Sequence, residues 1–245
     1  MIISHKALKG DQVGYQNVFK RLEQKYIISE QQSKKIRQLI EDKMHTDRYG
    51  KSRICNLYFD TPDFLLVRRS IEKPIFKEKL RIRSYGIAKP DSTVFAEIKR
   101  KYKGVVYKRR IPLSEKDIEK YFCDISSEKE DQISNEINYF LTLYPSLRAR
   151  FYITYEREAF YGNDDPDFRL TLDENLFWRT ENLSLCSQET GERILPEDTV
   201  LMEIKSATAI PLWLTAFLSE EKIFKTSFSK YGEAYKAFLN KKGEK

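Results

Sequence analysis

Polar and apolar residues alternate along much of the chain. Lys79, Arg81 and Arg83 are separated by Leu80 and Ile82. In an extended strand this spacing puts three cations on one face and two aliphatics on the other. The period recurs. Residues 18–28 set Arg21, Glu23 and Lys25 against Leu22, Gln24 and Tyr26, and residues 93–102 set Glu97, Lys99 and Lys101 against Val94, Ala96 and Ile98. Lys108 and Arg110 share a face in 105–111. Arg169, Thr171 and Asp173 oppose Phe168, Leu170 and Leu172, and Glu203 and Lys205 oppose Val200, Met202 and Ile204. Further strands are expected over 51–60, 75–85 and 148–161. Gly104 predicts a tight turn that makes 93–102 and 105–111 a hairpin, which 112–114 ends.

Helical spacing replaces alternation elsewhere. Ser29 caps a helix expected to reach about residue 43, with Ile36, Leu39 and Ile40 on one side. Shorter helices are expected over 63–69, 115–122, 128–143, 211–218 and 232–239, and 176–197 reads as irregular. With no internal repeat, low-complexity run or Gly/Ser/Pro linker, the chain reads as one domain.

Charge sharpens this pattern. The cations placed on polar strand faces are Arg21, Lys25, Lys79, Arg81, Arg83, Lys99, Lys101, Lys108, Arg110, Arg157, Arg169 and Lys205; the acids there are Glu23, Glu97, Asp173 and Glu203. Twelve cations less four acids leave eight, against a net charge of +7 for the whole 245-residue chain. The excess is therefore concentrated on strand faces, and a polyanion is the partner such faces need. Two architectures accommodate them. One is an antiparallel sheet packed on helices with its charged face in water. The other is a closed barrel with helices outside and the cations lining its bore, where they require anions.

Cys55, Cys123 and Cys186 are odd in number and form no CxxC pair. They read as reduced thiols of a cytoplasmic protein without a disulfide framework or zinc site. The N-terminus lacks the apolar core of a signal peptide, and the apolar stretch 210–218 is too short for a membrane span. Insertion into a membrane is not expected.

Eight motifs occur in one order: Arg21-Leu22-Glu23-Gln24-Lys25-Tyr26, Asn56-Leu57-Tyr58-Phe59-Asp60-Thr61, Lys79-Leu80-Arg81-Ile82-Arg83, Glu97-Ile98-Lys99-Arg100-Lys101, Tyr155-Glu156-Arg157-Glu158-Ala159-Phe160, Arg169-Leu170-Thr171-Leu172-Asp173, Met202-Glu203-Ile204-Lys205 and Ser229-Lys230-Tyr231. As a set, over about residues 18–239, they resemble the VTC domain, the polyphosphate-polymerase branch of the CYTH or triphosphate tunnel metalloenzyme superfamily. The resemblance implies an α+β fold, an eight-stranded antiparallel tunnel closed into a barrel and wrapped by helices. It implies transfer of the γ-phosphate of ATP to a growing polyphosphate chain, with Mn²⁺ or Mg²⁺ as cofactor. It places phosphate binding at Lys25, Arg81, Arg83, Lys99, Lys108, Arg157, Arg169 and Lys230, the catalytic contacts among them being Arg81, Arg83, Lys99 and Arg157. Glu203, with Glu23, is the implied metal site.

Two departures stand out. The wider superfamily opens Glu-x-Glu-x-Lys, whereas Arg21 replaces the first acid here; the loss favours the polymerase branch over the acid-rich hydrolase and cyclase branches. A lysine is also expected three residues before Lys230, where Ser227 stands, and Lys225 is the nearest substitute.

Phosphoryl transfer rests on positioning and charge neutralisation, so a terminal phosphate oxygen can be the nucleophile. His5 and His45 lie outside every motif, consistent with that chemistry. The expected partners are ATP, orthophosphate and polyphosphate, with coupling to translocation requiring a separate membrane protein. Two alternatives stay open within the superfamily: an inorganic triphosphatase, and a silent module binding polyphosphate or inositol phosphates. A nucleic-acid binder predicts aromatics interleaved with the cations; most tyrosines here fall among aliphatics, so no nucleic acid is expected.

Overall fold

The computed structural model describes residues 18–19, 22–103, 105–123, 131–207 and 209–243. In chain order the elements are β1 (Val18–Phe19), β2 (Leu22–Ser29), α1 (Glu30–Ile40), β3 (Met44–Thr46), β4 (Ser52–Asp60), α2 (Leu65–Ile71), β5 (Phe76–Tyr85), β6 (Thr93–Tyr102) and β7 (Val105–Ser114). A 3₁₀ turn (Glu115–Asp117) leads into α3 (Ile118–Cys123) and α4 (Gln132–Leu143). β8 (Arg148–Gly162), β9 (Arg169–Arg179), β10 (Glu192–Arg193), β11 (Thr199–Ser206), α5 (Leu212–Glu220), β12 (Lys225–Thr226) and α6 (Lys230–Gly243) complete the order.

Among the described residues all strands join one twelve-stranded sheet whose main path is β1-β7-β6-β5-β4-β8-β9-β11-β2-β12. Every pairing is antiparallel. Eight strands are long, as the resemblance implied, but the expected closed barrel is corrected here: β7 and β2 do not pair, and the sheet is open between them. Each edge is capped instead. β1 takes the β7 edge through Val18 and Phe19, while β12 takes the β2 edge through Lys225 and Thr226. Phe19 and Leu22 are three Cα steps apart, at most about 11 Å, so the chain itself brings the two edges together. A Lys99–Glu23 ion pair at 3.4 Å links β6 to β2 without any ladder hydrogen bond.

Alternation explains the layering. Leu80, Ile82, Val94, Ala96 and Ile98 pack outward with Ile137, Phe140 and Leu141 of α4. Tyr26, Ile28, Leu170, Leu172, Met202 and Ile204 pack outward with Ile36 and Ile40 of α1 and Leu214 and Phe217 of α5. Ser29 closes α1 with a capping box, its hydroxyl accepting from Gln32 N–H while the Gln32 side chain accepts from Ser29 N–H. The opposite face also has an apolar end. Ile54, Tyr58, Phe151, Ile153, Trp178 and Leu201 enclose Tyr231, Ala234 and Tyr235 of α6, so that helix fills one end of the concave side.

Several boundaries differ from expectation. β9 runs through Arg179 into the segment read as irregular, past Asn175 at φ 50, where its register with β8 shifts. β7 continues through Pro112 to Ser114 because the edge beyond β1 asks no N–H of proline. The motif residue Arg21 and the turn residue Gly104 lie outside the described residues, as do the first residues of the helix expected from 128.

Candidate phosphate-binding site

The concave face beyond the apolar plug is lined by charge from seven long strands and the first turn of α6. Three clusters form there, each around a carboxylate.

Glu97, only 1% exposed, is the first. Arg81 Nη2 lies 2.7 Å and Lys108 Nζ 2.6 Å from it, with Arg83 Nε at 3.9 Å. Tyr58 accepts from Arg81 at 2.9 Å, while Asn56 and Tyr155 accept from Arg83 at 3.0 and 3.2 Å. Burial opposes the Glu97 charge, but Arg81, Arg83 and Lys108 outweigh it and hold this carboxyl well below the usual range. Burial likewise opposes the Arg81 charge, yet Tyr58 and Glu97 raise its pKa further.

Asp173 is the second, fully buried. Arg157 grips it with two bonds of 2.6 and 2.7 Å, the bidentate geometry that guanidinium provides. Lys230 donates to it from the start of α6.

Glu203 is the third and touches four cations: Lys25 at 3.2 Å, Lys230 at 3.2 Å, Arg157 at 3.6 Å and Lys205 at 3.9 Å. Against desolvation, Lys230, Lys25 and Arg157 keep it ionised far below an ordinary glutamate. Glu23 reaches Lys25 at 3.5 Å and Lys99 at 3.4 Å. Burial pushes its pKa up, Lys99 and Lys25 pull it down, and the balance leaves it at about 2.

All eight expected phosphate-binding residues therefore sit on this concave face. Lys25, Arg157, Lys230 and Glu203 form one contact network and Arg81, Arg83 and Lys108 another; Lys99 reaches the first through Glu23. Arg169 stands apart in contact, stacked 4.8 Å from the Tyr161 ring with its Nε buried and unbonded. Sequence reasoning missed the neutral residues that hold the arginines: Asn56, Tyr58 and Tyr155. Their even spacing along β4, and that of Tyr155 with Arg157 on β8, is the signal that could have found them. It also missed Lys79 as a half-buried group, whose Nζ donates to Ser229 Oγ at 3.0 Å.

Glu203 and Glu23 flank Lys25, and Thr171, directly opposite Glu203 in the ladder, has a buried hydroxyl with no hydrogen-bond partner. Among the described residues no group of three or more His, Cys, Asp or Glu side chains forms a metal cage. These donors fit a divalent cation of the Mg²⁺ kind, which binds through one or two carboxylates and takes remaining oxygens from phosphate.

Lys79 is pushed down to about 7 by loss of water around its amine, then by Lys99, Lys25, Lys77 and Arg81. An ordinary lysine titrates near 10.5. Between these values the unfolded chain binds more protons than the folded one, so this contribution to stability rises with pH from about 7 to 10.5. A bound polyanion favours the charged amine and reverses that trend. Tripolyphosphate binding at pH 8 is expected to take up protons, and its affinity to fall as pH rises above 7. Calorimetry in buffers of different ionisation enthalpy checks this; release of protons would contradict it.

Chains of known structure resemble this one. A candidate adenylyl cyclase from Hippeastrum with a dominant triphosphatase activity superposes with a TM-score of 0.56 at 15% identity, covering 89% of this chain and 96% of its own. A candidate adenylate cyclase from Vibrio parahaemolyticus gives a TM-score of 0.46 at 12% identity over 90% of this chain and 97% of its own. The former likeness shows a shared fold. The profile of the VTC domain matches residues 20–239, and the chain belongs to that family. No curated protein sequence matches it.

Proposed function

We propose that this protein is an ATP-dependent polyphosphate polymerase. The observation that carries the reading is the imbalance of the concave face: Lys25, Lys79, Arg81, Arg83, Lys99, Lys108, Arg157, Arg169, Lys205 and Lys230 surround four carboxylates, each already engaged by cations. The surplus suits a linear chain of phosphates better than a single anion.

Arg81 and Arg83, fixed by Tyr58, Asn56 and Tyr155, grip the phosphates of ATP, with Lys25 and Lys99 completing the grip. Lys108, Arg157, Arg169 and Lys230 neutralise charge on the transferring phosphoryl group. A terminal oxygen of orthophosphate or polyphosphate attacks the γ-phosphorus in line, a new P–O bond forms, the bond to the β-phosphate oxygen breaks and ADP leaves. Glu203 and Glu23 would hold a divalent cation such as Mn²⁺ or Mg²⁺, which would supply positive charge to phosphate oxygens.

Purified protein incubated with ATP and Mn²⁺ is expected to yield a polymer visible on a gel stained for polyphosphate. Glu203→Gln is expected to retain ATP binding and lose turnover. Wild-type protein that binds ATP and makes no polymer would sink this reading. A second reading, a triphosphatase, is favoured by the activity of the Hippeastrum protein that shares the fold. It predicts pyrophosphate and orthophosphate from tripolyphosphate, with no longer polymer, because water takes the acceptor's place and the diphosphate leaves.

A further inference from the structure

On the inner face of the β5–β6 hairpin, like charges stand directly opposite one another. Lys77 pairs in register with Lys101, and Lys79 with Lys99; Lys99 also stands opposite Lys108 of β7. Only one step deeper does an opposite-charge pair, Arg81 with Glu97, appear. Like charges at directly opposed positions destabilise a ladder, and two successive pairs of them have no structural use. Among the described residues no carboxylate lies within ion-pair distance of Lys79. Its ammonium donates to Ser229 Oγ and lies 5.9 Å from the Tyr231 ring, with Lys25, Lys77, Lys99 and Arg81 as its charged neighbours and Tyr58 and Lys230 on the adjoining elements. Among the described residues Lys77 donates only to the Ser70 carbonyl, at 3.4 Å.

Distance argues the same way. At roughly 3.3 Å per residue, Lys77 to Arg83 spans about 20 Å of strand, a row of four side chains at every second position. The Arg81–Arg83–Glu97 cluster occupies its inner half. The outer half leads to Lys101 and the exposed Phe76 and Tyr102 at the hairpin's end.

We propose that Lys77, Lys79, Lys99 and Lys101 form an anion track that holds the phosphates of a chain longer than a triphosphate, between the Arg81–Glu97 cluster and the rim. The proposal rests on the phosphate reading of the concave face and adds a determinant of chain length to it. The track grips polyphosphate after the inner cations have taken three phosphates. ATP, whose phosphates are capped by a nucleoside, reaches only the inner members Lys79 and Lys99 and gains little from Lys77 and Lys101.

The test is the double substitution Lys77→Gln, Lys101→Gln at the rim, with binding of tripolyphosphate and of long-chain polyphosphate measured separately by calorimetry. The variant is expected to bind the long chain about tenfold more weakly, the loss of roughly one charged contact, and with a shallower salt dependence. Its tripolyphosphate affinity is expected to stay within about twofold of wild type. Equal weakening of both ligands, or of neither, overturns the track while leaving the inner site standing. Wild-type protein that binds neither ligand removes the phosphate reading and the track together. A single-stranded oligonucleotide that matches polyphosphate in affinity, and loses as much in the variant, assigns the track to nucleic acid and overturns the proposal.

Discussion

Replacing Arg81 and Arg83 together by alanine is expected to weaken tripolyphosphate and ATP binding by at least about 100-fold. A hydrogen bond to a charged group contributes about 1.5–3 kcal/mol, so two arginines account for roughly 3–6 kcal/mol, or two to four orders of magnitude. The geometry argues for the upper part of that range. Tyr58 and Asn56 accept from the two guanidinium groups at 2.9 and 3.0 Å, so their orientation is set before a ligand arrives and little rotamer entropy remains to be lost. Their removal has a second effect. Among the described residues Glu97 would keep only Lys108 as a close partner, and a carboxylate 1% exposed would then repel the incoming phosphates. Calorimetric titration checks the prediction, with Arg81→Lys, Arg83→Lys as the control that retains charge but loses the planar fork. A double alanine variant within tenfold of wild type would move the triphosphate away from β5.

Much of the concave face was legible in the sequence because strand alternation is a strict period of two. Once Leu80 and Ile82 are assigned to the packed side, Lys79, Arg81 and Arg83 have only one side to occupy, and the same holds for Glu203 and Lys205 between Met202 and Ile204. The outer packing of α1 followed from Ile36 and Ile40 in the same way. Alternation cannot say whether a curled sheet closes. That depends on which strand claims the last edge, and here the two-residue strands β1 and β12 claim them, too short to leave a pattern of their own. Nor does local pattern show that the concave side has an apolar end. Ile54, Tyr58, Phe151 and Trp178 look like ordinary strand residues until α6 is seen to pack on them. Asp60 belongs to this long-range class: it accepts from Leu66 and Val67 N–H of α2 and from the Tyr231 hydroxyl 171 positions later, tying α6 and hence Lys230 to the sheet. The pKa of Tyr231 is driven up by burial and by that carboxylate.

Asp173→Ala is expected to lower the melting temperature by about 6–20 °C. Breaking a buried ion pair from one side costs about 3–5 kcal/mol, and each kcal/mol moves the midpoint of a chain this size by about 2–4 °C. The fully buried Asp173 carboxylate is shared by Arg157 and Lys230, and both would be left with Glu203 as their only acidic partner within 4 Å among the described residues. Loss of stability alone would fit any buried carboxylate, so the informative measurement is the response to ligand. Tripolyphosphate at about 100 times its Kd stabilises wild type by about 2.7 kcal/mol through mass action, roughly 5–11 °C. In the variant the phosphates replace a missing anion instead of competing with one already present, so the ligand-induced shift should exceed that of wild type. The same logic makes the variant bind more tightly at low salt, where the uncompensated cations are least screened. A shift equal to or smaller than that of wild type would mean that Arg157 and Lys230 are committed to the sheet and α6 and do not reach the ligand.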